Sequence, residues 1–137
     1  YWQAADWMGV GPGAHGRFAV FEPKRRCLSR TATIIRRGPA GWLNAVNTRG
    51  HGIEKKEIDT PKDWAHEMVM MGLRLSDGIH LDAIKALCGP VESWLDFTAV
   101  DQCIETGWLH HDHQTSSLVA TLDGRLRLNH ILSAILL

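Results

Sequence analysis

Residues 1–20 interleave short apolar pieces with glycine: Trp7-Met8-Gly9-Val10, then Gly11-Pro12-Gly13-Ala14-His15-Gly16, then Phe18-Ala19-Val20. An apolar piece running into a glycine turn predicts a strand that ends in a tight loop. The next stretch, residues 22–38, is basic: Lys24, Arg25, Arg26, Arg30, Arg36 and Arg37 face one acid, Glu22. Within it, Thr31-Ala32-Thr33-Ile34-Ile35 has the β-branched content of a short strand. From Gly38 to Thr60 the pattern predicts a short helix over Ala40–Thr48 and a polar loop around Arg49-Gly50-His51-Gly52.

Helical spacing is clearest from Thr60 onward. Thr60 suits an N-cap, Pro61 the first helical position, and Asp63 the positive end of the helix. Trp64, Met68, Met71 and Leu75 recur at the spacing of one helix face, and Ser76-Asp77-Gly78 ends the run. A second helix, His80 to Leu87, turns Leu81, Ile84 and Cys88 inward and stops at Gly89-Pro90. A third, Val91 to Thr106 with a break near Phe97, carries Val100 and Ile104 inward. The period then changes. Trp108-Leu109 and Leu118–Thr121 read as two strands joined by the polar loop His110–Ser117. Asp123-Gly124 leads into a last helix with Leu128, Ile131, Leu132 and Ile135 along one face. Three helices and then a hairpin are the order of a winged-helix domain.

Composition narrows the class. Hydrophobic residues make up 45% and charged residues 22% of the 137, the profile of a globular chain with a core built on six tryptophans. Fifteen basic and fifteen acidic side chains cancel, so no global charge draws the chain to nucleic acid or anionic lipid. No run approaches the about 20 apolar residues of a membrane span, and no secretory signal is recognisable. Cys27, Cys88 and Cys103 are odd in number and widely spaced. That pattern fits free thiols in a reducing cytoplasm better than a disulfide framework or a metal site. The chain does not begin with Met and starts inside structured sequence, so it is expected to be part of something longer.

Candidate chemistry is sparse. The glycines from Gly9 to Gly16 let backbone approach a ligand closely, yet Pro12 and the lack of a following helix exclude a dinucleotide fingerprint. His110, His111 and His113 lie in a predicted loop without a third or fourth fixed ligand, so no metal ligand is assigned. No nucleophile with a paired base is recognisable, and no catalytic residue is assigned. The arginines after Glu22 read either as a solvated arm or as forks for carboxylates and phosphates.

Taken together, three ordered segments resemble the C-terminal third of the radical-SAM oxygen-independent coproporphyrinogen III oxidases, closest to the haem-chaperone branch. Tyr1-Trp2 with Asp6-Trp7-Met8-Gly9-Val10-Gly11-Pro12-Gly13-Ala14-His15-Gly16 resembles the family's YW…D-aromatic-x-G-(I/V)-G-P-G-A-H segment. Glu67 to Leu75 with Asp77-Gly78 resembles its E-x-x-M-x-G-L-R-L block, and Gly124-Arg125-Leu126-Arg127-Leu128-Asn129 its closing G-R-L-x-x-N helix. The resemblance implies that S-adenosylmethionine, a [4Fe–4S] cluster and haem belong to a full-length parent, with none complete in this chain. It implies cofactor contacts at Gly11, Gly13, Ala14 and His15, and a haem-associated role for Tyr1 and Trp2. Porphyrin propionates are carboxylates, so some of Arg25, Arg26, Arg30, Arg36 and Arg37 are expected to face them.

The expected fold is α+β: the terminal strand and glycine loop of a barrel (residues 1–21), a basic linker arm (22–59) and a mainly helical winged-helix-like C-terminal domain (60–137) that covers the barrel mouth. The expected function is the non-catalytic portion of a coproporphyrinogen III oxidase-like protein in porphyrin biosynthesis or haem delivery. The expected partners are an N-terminal radical-SAM barrel and a porphyrin. The alternative is a winged-helix module for nucleic acid, which the acids Glu92, Asp96, Asp101 and Glu105 on the third helix argue against.

Overall fold

Three strands and a helix make up the first of two units found in the computed structural model, which describes residues 5–22 and 27–137. Strands β1 (His15–Glu22), β2 (Cys27–Ile35) and β3 (Ile53–Asp59) form one antiparallel sheet in that order, and α1 (Pro39–Arg49) connects β2 to β3. The β-branched run Thr31–Ile35 lies in the central strand, where Thr31, Ala32, Thr33 and Ile35 are buried. Pairing carries that strand back to Cys27, further than its β-branched core indicated. Helix α1 starts with Pro39 after Gly38 and stops where Gly50 donates its N–H to the Val46 carbonyl.

Strand β3 stands where the sequence pattern indicated only a loop and its flank. Its residues read Ile-Glu-Lys-Lys-Glu-Ile-Asp, and residues 54–58 are all exposed. Backbone pairing to β2 holds this edge without an apolar alternation, so period-2 patterning is silent there. Lys55 and Glu57, whose charged groups lie 2.6 Å apart, blunt the edge against pairing with other chains.

The second unit runs from α2 (Pro61–Gly72) through β4 (Ile79–His80), α3 (Leu81–Cys88), a single 3-10 turn (Val91–Ser93) and α4 (Phe97–Glu105). A hairpin of β5 (Leu109–Asp112) and β6 (Ser117–Ala120) follows, then α5 (Leu122–Leu126) and α6 (Leu128–Ile135). Its sheet has the order β4-β6-β5, antiparallel throughout. Among the described residues the fold is therefore α+β, with two three-stranded sheets and six α-helices. No helix among them is long and apolar enough to cross a membrane.

Three details differ from the sequence pattern. Helix α2 buries Trp64, Ala65, Val69 and Gly72 rather than the face through Met68, Met71 and Leu75. Gly72 lets the helix approach Ile79 closely: a Cβ there would lie 2.2 Å from Ile79 Cγ2. The third helix is a separate 3-10 turn and α4, because the Asp96 carboxylate accepts the amides of Thr98 and Ala99 at 2.9 and 3.2 Å and caps a new start. The last helix is likewise two, broken at Arg127. Its apolar face is nonetheless the predicted one: Leu128, Ile131, Leu132 and Ile135 are buried.

The hairpin and the last two helices join at one crowded point. The Thr121 hydroxyl donates to the Gly107 carbonyl at 2.7 Å and accepts the Gly124 amide at 3.0 Å. Gly124 sits so near the strand entry that a Cβ there would lie 1.9 Å from the Trp108 carbonyl oxygen. At the other end of the unit, Leu95 pairs with Leu136 in an isolated bridge. The Asp96 N–H donates to Ile135 at 2.9 Å and the Leu137 N–H to Trp94 at 3.1 Å.

Two outcomes are expected in chemical denaturation. Thr121→Ala loses a cap and costs about 1 kcal/mol, whereas Gly124→Ala must displace backbone and costs about 3 kcal/mol or more. The second concerns pH. Burial, reinforced by Lys62 and partly offset by a backbone hydrogen bond to Leu137, holds the His66 imidazole below its ordinary value of 6.5. The unfolded chain then binds the proton more tightly than the folded one, so stability is full above pH 6.5 and is lost as pH falls through the folded value. The denaturation midpoint should fall between about pH 7 and about pH 5, less steeply in His66→Asn.

Candidate functional site

Glycine decides the geometry of residues 5–14. Trp7 meets Arg17 in an isolated antiparallel bridge, its N–H donating to the Arg17 carbonyl at 2.6 Å and its carbonyl accepting the Arg17 N–H at 2.9 Å. Between them the chain doubles back through a turn with Gly11 and Gly13 in the left-handed region, φ +93° and +74°. Gly9 lies flat on the backbone of His15, where a Cβ would stand 2.4 Å from the carbonyl oxygen. Among the described residues the glycine segment leads into β1. Met8 and Val10 are 80% and 86% exposed, so the apolar content that suggested a strand is not buried in this unit.

Backbone hydrogen bonds stitch this turn to the end of β2. The Gly13 N–H donates to the Arg36 carbonyl at 3.0 Å, and the Ile35 N–H to the Ala14 carbonyl at 2.8 Å. Beside the turn lies a cavity of about 290 Å³ with an apolar wall. Gly9, Gly11, Phe18, Ile35 and Trp42 line it, and Thr33 and His51 supply polar side chains. The Trp42 ring rests on Gly52, where a Cβ would lie 2.3 Å from its Cδ1.

Of the expected cofactor contacts, Gly11 lines the cavity, while Gly13 and Ala14 hold the turn through their backbone. His15 opens β1, exposed and opposite Ile34, and is not part of the lining. Tyr1, Trp2, Arg25 and Arg26 lie outside the described residues. Arg30 is turned inward, 1% exposed, with its guanidinium 5.5 Å from the centre of the Trp7 ring and in register with Asp59. Arg36 pairs with Glu54 at 3.8 Å, and Arg37 is exposed with its stem beside Gly13. Trp42 and His51 went unmarked in the sequence, because a lone Trp on a short helix and a His in a polar loop carry no spacing signal.

In the second unit His110 and His111 extend β5, paired with Val119 and Leu118, where a loop was expected, and His113 begins the turn. Asp112 accepts the Gln114 amide and the Thr115 hydroxyl, both at 2.8 Å, and the Thr115 bond is the main reason its carboxyl lies below the ordinary range. The His111 and His113 rings lie 4.2 Å apart. Among the described residues no group of three or more His, Cys, Asp or Glu is placed to hold a metal ion. Cys88 and Cys103 are buried and in no disulfide, and burial pushes Cys103 up, away from thiolate. The described residues therefore do not fit a [4Fe–4S] cluster, which needs a set of thiolate ligands. Helix α4 exposes Asp101, Gln102 and Glu105, an unfavourable face for phosphates.

Comparison with known proteins adds a lineage. Residues 59–129 match the family model described as the HemN C-terminal domain. The proteins named "Radical S-adenosyl methionine domain-containing protein 1, mitochondrial" from Bos taurus and Danio rerio are 37% and 35% identical over 79 and 80 residues. Each match covers 58% of this chain and 17% of the relative, so the aligned part is about a sixth of the relatives' length. The Mus musculus protein of the same name is 35% identical over 79 residues. No solved structure matches the chain.

Gly9→Ala tests the geometry of the turn. Hydrogen exchange should accelerate at the amides of Trp7 and Arg17, which the turn pairs, while the amide of Ala32 in the central strand keeps its protection. Equal protection at all three in the variant would show that the close approach at Gly9 does not hold the turn.

Proposed function

The chain belongs to the HemN C-terminal domain family, as the C-terminal part of a HemN-like radical-SAM protein, and from that premise we propose that it is a non-catalytic wall of a coproporphyrinogen III oxidase-like site. In this reading it helps to hold S-adenosylmethionine and a porphyrin or haem, for porphyrin biosynthesis or haem delivery. The observation that carries the reading is the glycine turn laid over an apolar cavity with the Trp42 ring on its wall. Glycine backbone offers amides and carbonyls to a ligand at close range, and an aromatic wall suits a flat ring. Thr33 and His51 give the cavity the few polar groups that orient a ligand.

In the parent, S-adenosylmethionine and its [4Fe–4S] cluster supply one-electron radical chemistry. This chain's residues bind and exclude water: Gly11 at the cavity edge, with Gly13 and Ala14 fixing the turn and His15 following it. Arg36 and Arg37 flank the turn and are the accessible arginines of the basic run for propionates, with Arg25, Arg26, Tyr1 and Trp2 completing the contacts in this reading. Arg30 would have to leave its place against Trp7 to join them. The order α2, β4, α3, α4, β5, β6 supports a winged-helix-like assignment for the second unit. The reducing compartment suggested by the cysteines is taken to be the cytoplasm, although the vertebrate relatives are named as mitochondrial.

Absorbance titration of the chain with haem and with coproporphyrin III tests the reading. Saturable binding is expected, weakened about tenfold by Trp42→Ala, a loss of about 1.4 kcal/mol. Absence of any porphyrin or haem binding would remove the proposal. Retention of duplex DNA with a steep dependence on salt would restore the nucleic-acid alternative in its place.

A further inference from the structure

Three arginines that the basic run does not contain converge in the second unit. Arg74 follows the C-terminal end of α2, Arg125 lies in α5, and Arg127 stands at the break before α6. Together with Asn129 and His130 they line a groove of about 510 Å³ that has no carboxylate in its wall. Each guanidinium is steadied by one backbone carbonyl: Arg74 by Met70, Arg125 by Leu75 at 3.5 Å and Arg127 by Asp123 at 3.1 Å. Arg127 also lies 5.7 Å from the centre of the Trp108 ring, whose edge meets His130. Among the described residues no carboxylate is within ion-pair distance of any of the three. A guanidinium has five N–H donors, so each fork keeps donors for another acceptor. Three like charges gathered in a chain of formal net charge zero repel one another until an anion arrives.

The shape of the groove says which anion. Past Arg74 and Asn129 it continues into a second hollow of about 390 Å³ along α6, walled by Met70, Leu132 and Leu136. Leu126, 83% exposed, borders the basic end. A free phosphate would use the arginines and leave the apolar continuation wet. A molecule with carboxylates on an apolar body fills both parts, because Arg forks accept carboxylates in bidentate fashion and the aliphatic wall gains by covering apolar surface.

We propose that the Arg74–Arg125–Arg127 groove is a carboxylate-binding site for an amphiphilic polycarboxylate of the porphyrin class, separate from the cavity beside the glycine turn. This rests on the porphyrin reading above and assigns part of the recognition to residues of the second unit. The ligand's carboxylates sit among the arginines and its apolar body lies along Met70, Leu132 and Leu136. No covalent step is involved.

Titration of the 137-residue chain with coproporphyrin III, with its tetramethyl ester and with inorganic phosphate tests the site. The free acid should bind at least about tenfold more tightly than the ester, and the gap should narrow severalfold in Arg125→Gln/Arg127→Gln and by less in Arg74→Gln. Arg125→Lys/Arg127→Lys should fall between, keeping charge without the fork. If acid and ester bind the unchanged chain equally, the proposal is overturned whether or not the variants fold, together with the propionate contacts of Arg36 and Arg37, while porphyrin binding in the apolar cavity stands. The proposal is equally overturned if the Gln variants fold and bind the acid as tightly as the unchanged chain. Phosphate binding through these arginines with no preference for coproporphyrin overturns the ligand class. Failure of the unchanged chain to bind either porphyrin overturns this site and the broader reading together.

Discussion

Trp108 and Gly124 bring two backbones together where no side-chain carbon fits between them, and much of the second unit is arranged around that meeting. An ideal Cβ on Gly124 would lie 1.9 Å from the Trp108 carbonyl oxygen, closer than any real contact. With glycine there, Thr121 can reach back to the Gly107 carbonyl and cap α5 in the same gesture. The hairpin entry, the short α5 and the start of α6 are thereby fixed to one another within a few residues. Arg125 and Arg127 project from this clamp, so the direction of their side chains follows from a backbone constraint rather than from mutual attraction. The first unit uses the same device at Gly9, which lies on the backbone of His15 and lets the turn fold against β2.

Strong local chemistry made some of this readable in the sequence and weak chemistry hid the rest. Thr60-Pro61, Gly89-Pro90 and the apolar spacing of α6 mark element ends and buried faces without ambiguity, and the structure follows them. Strand β3 was invisible because its pairing is a backbone property and its side chains face water. The face of α2 was misplaced for the opposite reason. Bulky Met68 and Met71 drew the pattern toward themselves, while Ala65, Val69 and Gly72 are buried, and Gly72 permits close approach to Ile79. Asp96 illustrates a third limit: the same carboxylate reads as a solvated charge or as a helix cap until the chain's path is known.

The sites were legible to different degrees for similar reasons. Glycine density marked the turn over the cavity, since backbone freedom is written directly in residue type. Trp42 reaches that cavity from a helix some thirty residues beyond it, a distance that no local pattern spans. Arginine counting pointed to the run before Gly38, yet Arg30 there spends its charge against Trp7 inside the sheet. Arg74 is some fifty residues from Arg125 and Arg127 and joins them only because the end of α2 and the α5–α6 break line one groove. A formal charge of zero is thus a sum over a segregated surface.

The bridge between Leu95 and Leu136 ties the middle of the chain to its last described residues. Contacts of such wide sequence separation form late, because a long loop must close before they give anything back. On the ribosome, α2, α3 and α4 emerge with part of their apolar surface still uncovered until residues 128–135 leave the exit tunnel and α6 docks. During that interval the nascent second unit exposes aliphatic surface of the kind that chaperones bind. A stop codon before Leu128 would leave it so permanently, as a product destined for proteolysis rather than a shortened but working domain.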